Sequence, residues 1–466
     1  VTAPIDIREV MTSPDLFGDQ FGGPSFAAWR ALLAAFYGLP LDDSESAILE
    51  AITGRKGPFL GAFAALWLVI GRRGGKSQVA ALIALYQAVF HDYRDRLAPG
   101  EVATVLCLAA DRAQARAVMR YVQGMAAHPM IAPMIKRQTE TTIEFDNGCA
   151  IEIGTASFRS VRGYTLSCII ADEIAYWFTD GANPDREIIQ AVRPALATLD
   201  GKLIAMSSPY ARRGELWTNY KRHFGTDSER VLVAQAPSRT MNPTLSQDVI
   251  DDALAEDYEA AQAEFMAQFR SDVASFLDVE LIDRATRPKP LELLPSSREK
   301  YFAFVDPAGG GGDEFTLAIG HLDGQAVVID LVRGRHGAPA EIAREFAKIM
   351  FQYDITTCHG DRYAGRWPRD EFLRWGIRYQ TSDQDRSGLY LEFLARLNSG
   401  AVELPPCPIL KRQLAGLERR TSRAGRDTID HGPSGHDDRA NAVAGVVTMA
   451  KRPQPYTITR GVRGLY

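Results

Sequence analysis

The sequence predicts an α/β protein in which two α/β domains follow one another, and two patterns lead to that reading. Between residues 66 and 236, short apolar runs alternate with stretches of helical periodicity, as in a mainly parallel sheet covered by helices. From residue 301, three strand-like runs stand in succession before the alternation with helices resumes. The length agrees: 466 residues exceed one ordinary core, so two or three domains are expected.

In the first domain the apolar runs are LWLVIG, VATVLCLAA, LSCIIADE, GKLIAMSSP and RVLVAQAP. Helices are expected from Lys76 and from Asp111. In TTIEFDNGCAIEIGT, Asn147-Gly148 between two alternating runs predicts a β-hairpin. Residues 1–60 lead into this core, which spans 61–236. Residues 237–297 are polar and punctuated by Pro, which predicts helices packed on the first domain and then a linker over 287–297.

The second domain is expected over 298–452. YFAFVD, TLAIGHL and AVVIDLVRG are its first three strands, with Asp323-Gly324 as the hairpin turn between the last two. A helix, the strand TTCHGD, a helix, the strand IRYQTS, a helix, the short strand AVELP and two more helices follow. Three antiparallel strands and then alternating strands and helices make the ribonuclease H topology. Residues 453–466 read as a basic tail.

Composition excludes several classes. Hydrophobic residues are 46% and charged residues 24%, ordinary for a globular chain, and no apolar run is long enough to span a membrane. The N-terminus lacks the basic and apolar regions of a signal peptide. The five cysteines show no CxxC spacing; they read as core thiols in a reduced compartment, with no zinc site. A net charge of −5 does not announce a nucleic-acid binder. It is compatible with one whose basic residues line a face and whose carboxylates hold metal.

The first chemical signal follows LWLVI: Gly71-Arg72-Arg73-Gly74-Gly75-Lys76-Ser77, between a strand and a helix. A phosphate-binding loop needs small residues whose N–H groups wrap phosphates, a Lys at the β/γ-phosphates and a hydroxyl on Mg²⁺. Gly75-Lys76-Ser77 match, while the leading glycine falls one place late, at Gly71 instead of Ile70. Arg72 and Arg73 read either as solvated loop charge or as groups stabilising the γ-phosphate. In the same sheet, CIIADE ends on Asp172, a candidate Mg²⁺ holder, and Glu173, a candidate base for the attacking water. Ser207 and Ser208 end another strand, as γ-phosphate sensors or as a plain strand-to-turn signal. Arg159 and Arg162 precede the Asp-Glu strand, as an arginine finger or a DNA contact.

The second signal is a set of acids at matched positions. Asp306 ends the first strand of the second domain, Asp361 ends the fourth, and Asp437-Asp438 open the last helix. In a ribonuclease H sheet these positions converge. Clustered carboxylates repel and call for divalent cations. Two Mg²⁺ or Mn²⁺ ions, roughly 4 Å apart, would activate water and stabilise a leaving phosphodiester oxygen. Alone, Asp437 also fits an N-cap. The Gly-rich 308–312, with Asp313 and Glu314, reads as a flap beside the metals. Lys411, Arg412, Arg419, Arg420, Arg423 and Arg426 read as phosphate contacts or as a solvated helix face.

In this order the motifs resemble those of tailed-bacteriophage terminase large subunits, over residues 20 to 450. GRRGGKS is similar to the family's arginine-bearing Walker A loop, Asp172-Glu173 to its Walker B acids, and Ser207-Ser208-Pro209 to its coupling motif. Asp306, Asp361 and Asp437-Asp438 are similar to its three nuclease motifs. The resemblance implies a P-loop ATPase domain followed by a ribonuclease H-like nuclease, with ATP, Mg²⁺ at the ATPase site and Mg²⁺ or Mn²⁺ at the nuclease. It implies Arg72 or Arg73 as the Walker A arginine and Arg162 as a trans-acting finger. It implies double-stranded viral DNA, a portal protein, a small terminase subunit and a ring of identical subunits as partners, in the host bacterial cytoplasm and at the procapsid, with no membrane. The chain departs from the family at Trp29-Arg30, where an aromatic followed by Gln often contacts adenine. The alternative is a helicase-nuclease of repair or restriction, but residues 237–300 leave no room for a second motor domain.

Overall fold

The computed structural model describes residues 5–59, 61–156, 163–177, 184–270, 272–307, 313–361, 367–421, 427–432 and 435–450. The chain divides into two compact units, Val1–Val273 and Ala274–Tyr466. The segment expected as a separate subdomain and linker, 237–297, is thereby shared between them. Residues 287–293 are bound to the second unit's own sheet: Arg287 donates to the carbonyl of Ile329 at 2.8 Å, Leu293 N–H to Asp330 O at 2.9 Å, and Arg333 forks onto Glu292. A Pro-rich polar stretch reads as a linker by composition, but here its backbone groups have found partners.

The first unit holds an eight-stranded sheet. Its strands are β1 (Ala65–Ile70), β2 (Ala103–Ala109), β3 (Ile135–Gln138), β4 (Thr142–Phe145), β5 (Cys149–Thr155), β6 (Thr165–Asp172), β7 (Lys202–Ser207) and β8 (Val231–Ala236). The order is β3-β4-β5-β2-β6-β7-β1-β8, parallel from β5 to β8 with antiparallel β3 and β4 at one edge. The parallel strands are buried on both faces, which is why they read as unbroken apolar runs. The expected hairpin is β4–β5, with Gly148 at φ +79° in its turn.

Residues 1–60 do more than lead in. Trp29, Leu32 and Phe36, on the helix Ala27–Phe36, share one core with Leu66, Leu68 and Ile70 of β1. The helix Asp43–Thr53 starts with a reciprocal capping box between Asp42 and Glu45. Because β7 lies between β1 and β6, the C-terminal ends of all three share one sheet edge: Val69 pairs with Ser207, and Asp172 with Met206.

The second unit has a six-stranded sheet of order β14-β13-β10-β11-β12-β15. The strands are β10 (Tyr301–Asp306), β11 (Phe315–Asp323), β12 (Ala326–Arg335), β13 (Thr357–Gly360), β14 (Arg378–Thr381) and β15 (Val402–Glu403). β10, β11 and β12 are antiparallel, and β10 pairs in parallel with β13, the expected neighbour. This is the ribonuclease H-like arrangement. A three-stranded sheet of β9 (Val273–Ser275), β16 (Leu417–Thr421) and β17 (Asp427–His431), in the order β17-β16-β9, was not expected from the sequence.

The last helix, Asp438–Met449, lies against the main sheet. A Cβ on Gly445 would come within 2.2 Å of the Phe304 ring, so glycine there permits the close helix–strand approach. All five cysteines are buried and free. Among the described residues, no helix is long and apolar enough to cross a membrane.

Candidate nucleotide and metal sites

The edge formed by β1, β6 and β7 gathers the first set of predicted residues. The loop 71–75 links β1 to the helix Lys76–Val89. A Cβ at Gly71 would lie 2.4 Å from Ser238 Oγ, and one at Gly74 would lie 2.7 Å from Ile70 Cγ2, so neither position tolerates a side chain. Gly75, at φ +89°, turns the chain into the helix.

Lys76 is buried. Its Nζ donates to Ile70 O at 3.1 Å and to Ser208 Oγ at 3.0 Å, and lies 3.3 Å from Glu173 Oε1. Ser77 Oγ is 3.5 Å from Asp172 Oδ2. Glu173 sits at φ +50°, a left-handed conformation uncommon for a side-chain-bearing residue. Its Oε2 accepts from Ser207 Oγ at 2.9 Å and from Ser208 N–H at 3.2 Å. Burial first, and then the charge of Glu173, push Asp172 up to about 7 against the pull of Lys76. Asp172 Oδ1 is buried with no hydrogen-bond partner, an acceptor of the kind a divalent cation satisfies.

Arg72 and Arg73 are exposed. The Arg72 guanidinium pairs with Glu264 at 3.1 Å, and its backbone N–H donates to Glu264 O. The structure thus turns Arg72 toward Glu264, with no contact to Lys76 or Asp172 in its hydrogen bonds. Arg159 and Arg162 lie outside the described residues. Trp29 is wholly buried, and its indole N–H donates to Gly74 O at 2.8 Å. Arg30 is bound to the carbonyls of Phe21 and Gly23. The pair flagged at the adenine position is therefore built into the loop's support and the adjoining turn.

The second set converges on one end of the second unit's sheet. Asp306, Asp361, Asp437 and Asp438 are all buried. Asn441 Nδ2 donates to Asp306 Oδ2 at 2.9 Å and to Asp361 Oδ2 at 3.4 Å, while its Oδ1 is buried without a partner. Arg386 reaches Asp437 at 3.2 Å, Asp430 at 3.6 Å and Asp361 at 3.9 Å. Burial opposes the charge on Arg386, but Asp437, Asp306 and Asp361 hold it protonated beyond the ordinary range. Burial pushes Asp306 up to about 8, with Asn441 and Arg386 pulling it down and Asp437 and Asp438 adding to the rise.

Asp437 and Asp438 diverge. Asp437 occupies the N-cap position but makes no cap bond; its carboxylate takes the Tyr390 hydroxyl at 2.7 Å and Arg386. Asp438 accepts the Glu314 N–H at 3.1 Å and groups with Asp313 and His436, their ligand atoms all within 4.8 Å of one another. Burial raises Asp438 as well. Carboxylates with one amide oxygen make a hard, oxygen-rich donor set, which suits Mg²⁺ or Mn²⁺.

The flap residues 308–312 lie outside the described residues, as do Arg423, Arg426 and the tail. Glu314 is held by a two-pronged pair with Arg439 at 2.7 and 2.9 Å. The basic stretch is not one helix face. Lys411 and Arg412 are on the helix Pro408–Ala415, whereas Arg419 and Arg420 are on β16. Lys411 pairs with Asp283, Arg419 with Asp427 and Arg420 with Glu418, and all three basic side chains remain partly exposed.

Sequence reasoning missed Asn441, Arg386, Tyr390 and Trp29 as parts of these clusters. Asn441 was within reach: it stands four residues after Asp437 and three after Asp438, one helical turn along the same face. Nothing in the sequence connects Arg386 to Asp437.

No family model and no curated protein matches the chain. Solved structures do. The large terminase of bacteriophage HK97 is 17% identical, with a TM-score of 0.40 over 91% of this chain and 99% of that one. The large terminase of the thermophilic bacteriophage D6E is 13% identical, with a TM-score of 0.38 over 91% and 98%. The large terminase nuclease of the thermophilic phage G20c is 16% identical, with a TM-score of 0.33 over 37% of this chain and 98% of that one. The D6E protein has also been solved with ADP and with ATP-γ-S, and the G20c nuclease with magnesium and with cobalt.

Proposed function

We propose that the chain is a terminase large subunit: it hydrolyses ATP to drive double-stranded viral DNA into a procapsid and cuts the DNA concatemer with a divalent-metal nuclease. The observation that carries this reading is the presence, on one chain, of two separately built clusters. One is Lys76, Ser77, Asp172, Glu173, Ser207 and Ser208 around a glycine loop; the other is Asp306, Asp361, Asp437, Asp438 and Asn441.

At the first cluster, loop N–H groups and Lys76 would bind the phosphates of ATP, and Ser77 and Asp172 would hold Mg²⁺. The bound ion would neutralise charge developing on the phosphates. Glu173 would orient the attacking water and take its proton. In the present arrangement Glu173 is tied to Lys76, Ser207 and Ser208, so it is free for that role only once Lys76 turns to phosphate. Ser207 and Ser208 link the state of Glu173 and Lys76 to β7. Arg72, Arg73 or Arg162 would add positive charge at the γ-phosphate.

At the second cluster, Asp306, Asp361, Asp437 and Asp438 would hold Mg²⁺ or Mn²⁺, which supplies activated water and stabilises the leaving oxygen. Asn441 would keep the carboxylates of Asp306 and Asp361 in place, and Arg386 would balance Asp361 and Asp437. The partners in this reading are DNA, a portal protein, a small terminase subunit and further copies of the chain in a ring, in the host bacterial cytoplasm.

A triplex-displacement assay on linear duplex DNA tests the motor. Terminase function predicts ATP-dependent displacement of a third strand with the duplex left intact. Strand separation in the same assay would favour a repair or restriction helicase-nuclease.

A further inference from the structure

Three successive carbonyls of the glycine loop each accept a hydrogen bond from a side chain outside the loop. Ser238 Oγ donates to Arg72 O at 2.6 Å, Asn242 Nδ2 to Arg73 O at 2.9 Å, and Trp29 Nε1 to Gly74 O at 2.8 Å. The donors come from two distant stretches of sequence: the helix Ala27–Phe36 and the short helix Ser238–Met241 with the residue after it. Ser238 and Trp29 are fully buried.

In a trans peptide the C=O and the following N–H point in opposite directions. Holding the Arg72 and Gly74 carbonyls outward therefore turns the N–H groups of Arg73 and Gly75 to the opposite side of the loop. Holding the Arg73 carbonyl fixes the Gly74 N–H, which closes a turn onto Gly71 O at 3.2 Å. The loop is anchored at its start as well: Gly71 N–H donates to Ala236 O at 3.1 Å, and Ser238 N–H to Phe265 O at 2.8 Å. A glycine-rich segment has the greatest conformational freedom to lose, so its anion-binding shape has to be imposed from outside.

We infer that Trp29, Ser238 and Asn242 are positioning residues that pre-form the loop for a nucleoside phosphate. They touch the loop's carbonyls and so turn the N–H groups of Arg73 and Gly75 to the ligand side, while those of Gly71, Arg72 and Gly74 hold the loop's own fold. This rests on the nucleotide-binding reading above and adds to it the residues that set affinity. Removing one brace lets the loop sample shapes that do not bind, so apparent affinity falls by the fraction of competent loop. Because Lys76, Ser77, Asp172 and Glu173 are untouched, turnover at saturation is preserved.

The test uses the full chain and its Ser238→Ala and Asn242→Ala variants, with Trp29→Phe as a third. Calorimetry with Mg-ADP gives the dissociation constant, steady-state hydrolysis of ATP gives KM and kcat, and melting without nucleotide reports folding. The expected result is KM and the Mg-ADP constant raised about five- to tenfold by each variant, with kcat within about twofold and the nucleotide-free melting temperature unchanged for Asn242→Ala. Asn242 is partly exposed, so that variant keeps the test valid if Trp29→Phe fails to fold. Wild-type affinity in both Ser238→Ala and Asn242→Ala overturns the inference. A wild-type chain that binds no Mg-ADP overturns the nucleotide reading itself.

Discussion

The carboxamide of Asn441 lies 2.9 Å from Asp306 and 3.4 Å from Asp361, so a single N–H₂ group joins acids at the ends of two neighbouring strands. Both strands end at the same sheet edge because β10 and β13 run in parallel, with Phe304 opposite His359. The last helix then brings Asn441 to the gap between them. Asn441→Ala removes this link from a fully buried site. We expect the metal-free second unit to lose about 1–3 kcal/mol of stability, read as a lower denaturation midpoint. An unchanged midpoint would mean that the amide does not hold the acids.

Lys76→Ala should abolish ATP hydrolysis, by roughly a hundredfold or more, because Lys76 is the buried cation of the loop edge. DNA cleavage by the same variant without ATP should stay within about twofold of wild type, since the two clusters share no residue. Loss of both activities would contradict separate sites.

Metal binding at the second cluster should depend on pH in a defined direction. Asp306 is pushed up to about 8, mainly by burial. An acid whose folded value is raised holds its proton while the unfolded chain has released it. Between about 4 and 8, the metal-free fold therefore loses stability as pH rises. A divalent cation needs the carboxylate ionised. Calorimetry with Mn²⁺ should show proton release at pH 7 and affinity rising up to about pH 8. Flat affinity from pH 6 to 8 would show that Asp306 is already ionised.

Arg386→Gln should expose the repulsion that Arg386 balances among Asp361, Asp430 and Asp437. With Arg386 partly exposed, the metal-free loss is about 1–3 kcal/mol. Mn²⁺ should restore most of it by supplying the missing positive charge. If saturating Mn²⁺ restores none of the loss, Arg386 acts through packing and not through charge.

Much of this was legible in the sequence for a physical reason. Parallel strands buried on both faces read as apolar runs, so β1, β2, β6, β7 and β8 were visible, and with them Lys76, Asp172, Glu173 and Ser207 at their ends. Asp306 is visible because it ends the buried apolar run Ala303–Val305, whereas β13 is short and alternates buried with half-buried residues, so Asp361 is placed by strand order and not by an apolar run. The hairpin β16–β17 was not, because its strands are polar and their charges pair across it, as Arg419 does with Asp427. The sequence leaves Arg72 as solvated loop charge or as a group at the γ-phosphate; in the structure its guanidinium pairs with Glu264, a partner 192 residues away that no local pattern announces. Trp29 was noted for what it replaced, and its bond to Gly74 O appears only in three dimensions.

The most direct measurement is plasmid cleavage by the purified chain with Mg²⁺, Mn²⁺ or EDTA, wild type beside Asp361→Ala, with ATP hydrolysis read in the same tubes. The account predicts metal-dependent cleavage that the variant loses while its ATP hydrolysis persists. Cleavage that survives in Asp361→Ala, or that proceeds in EDTA, would contradict it.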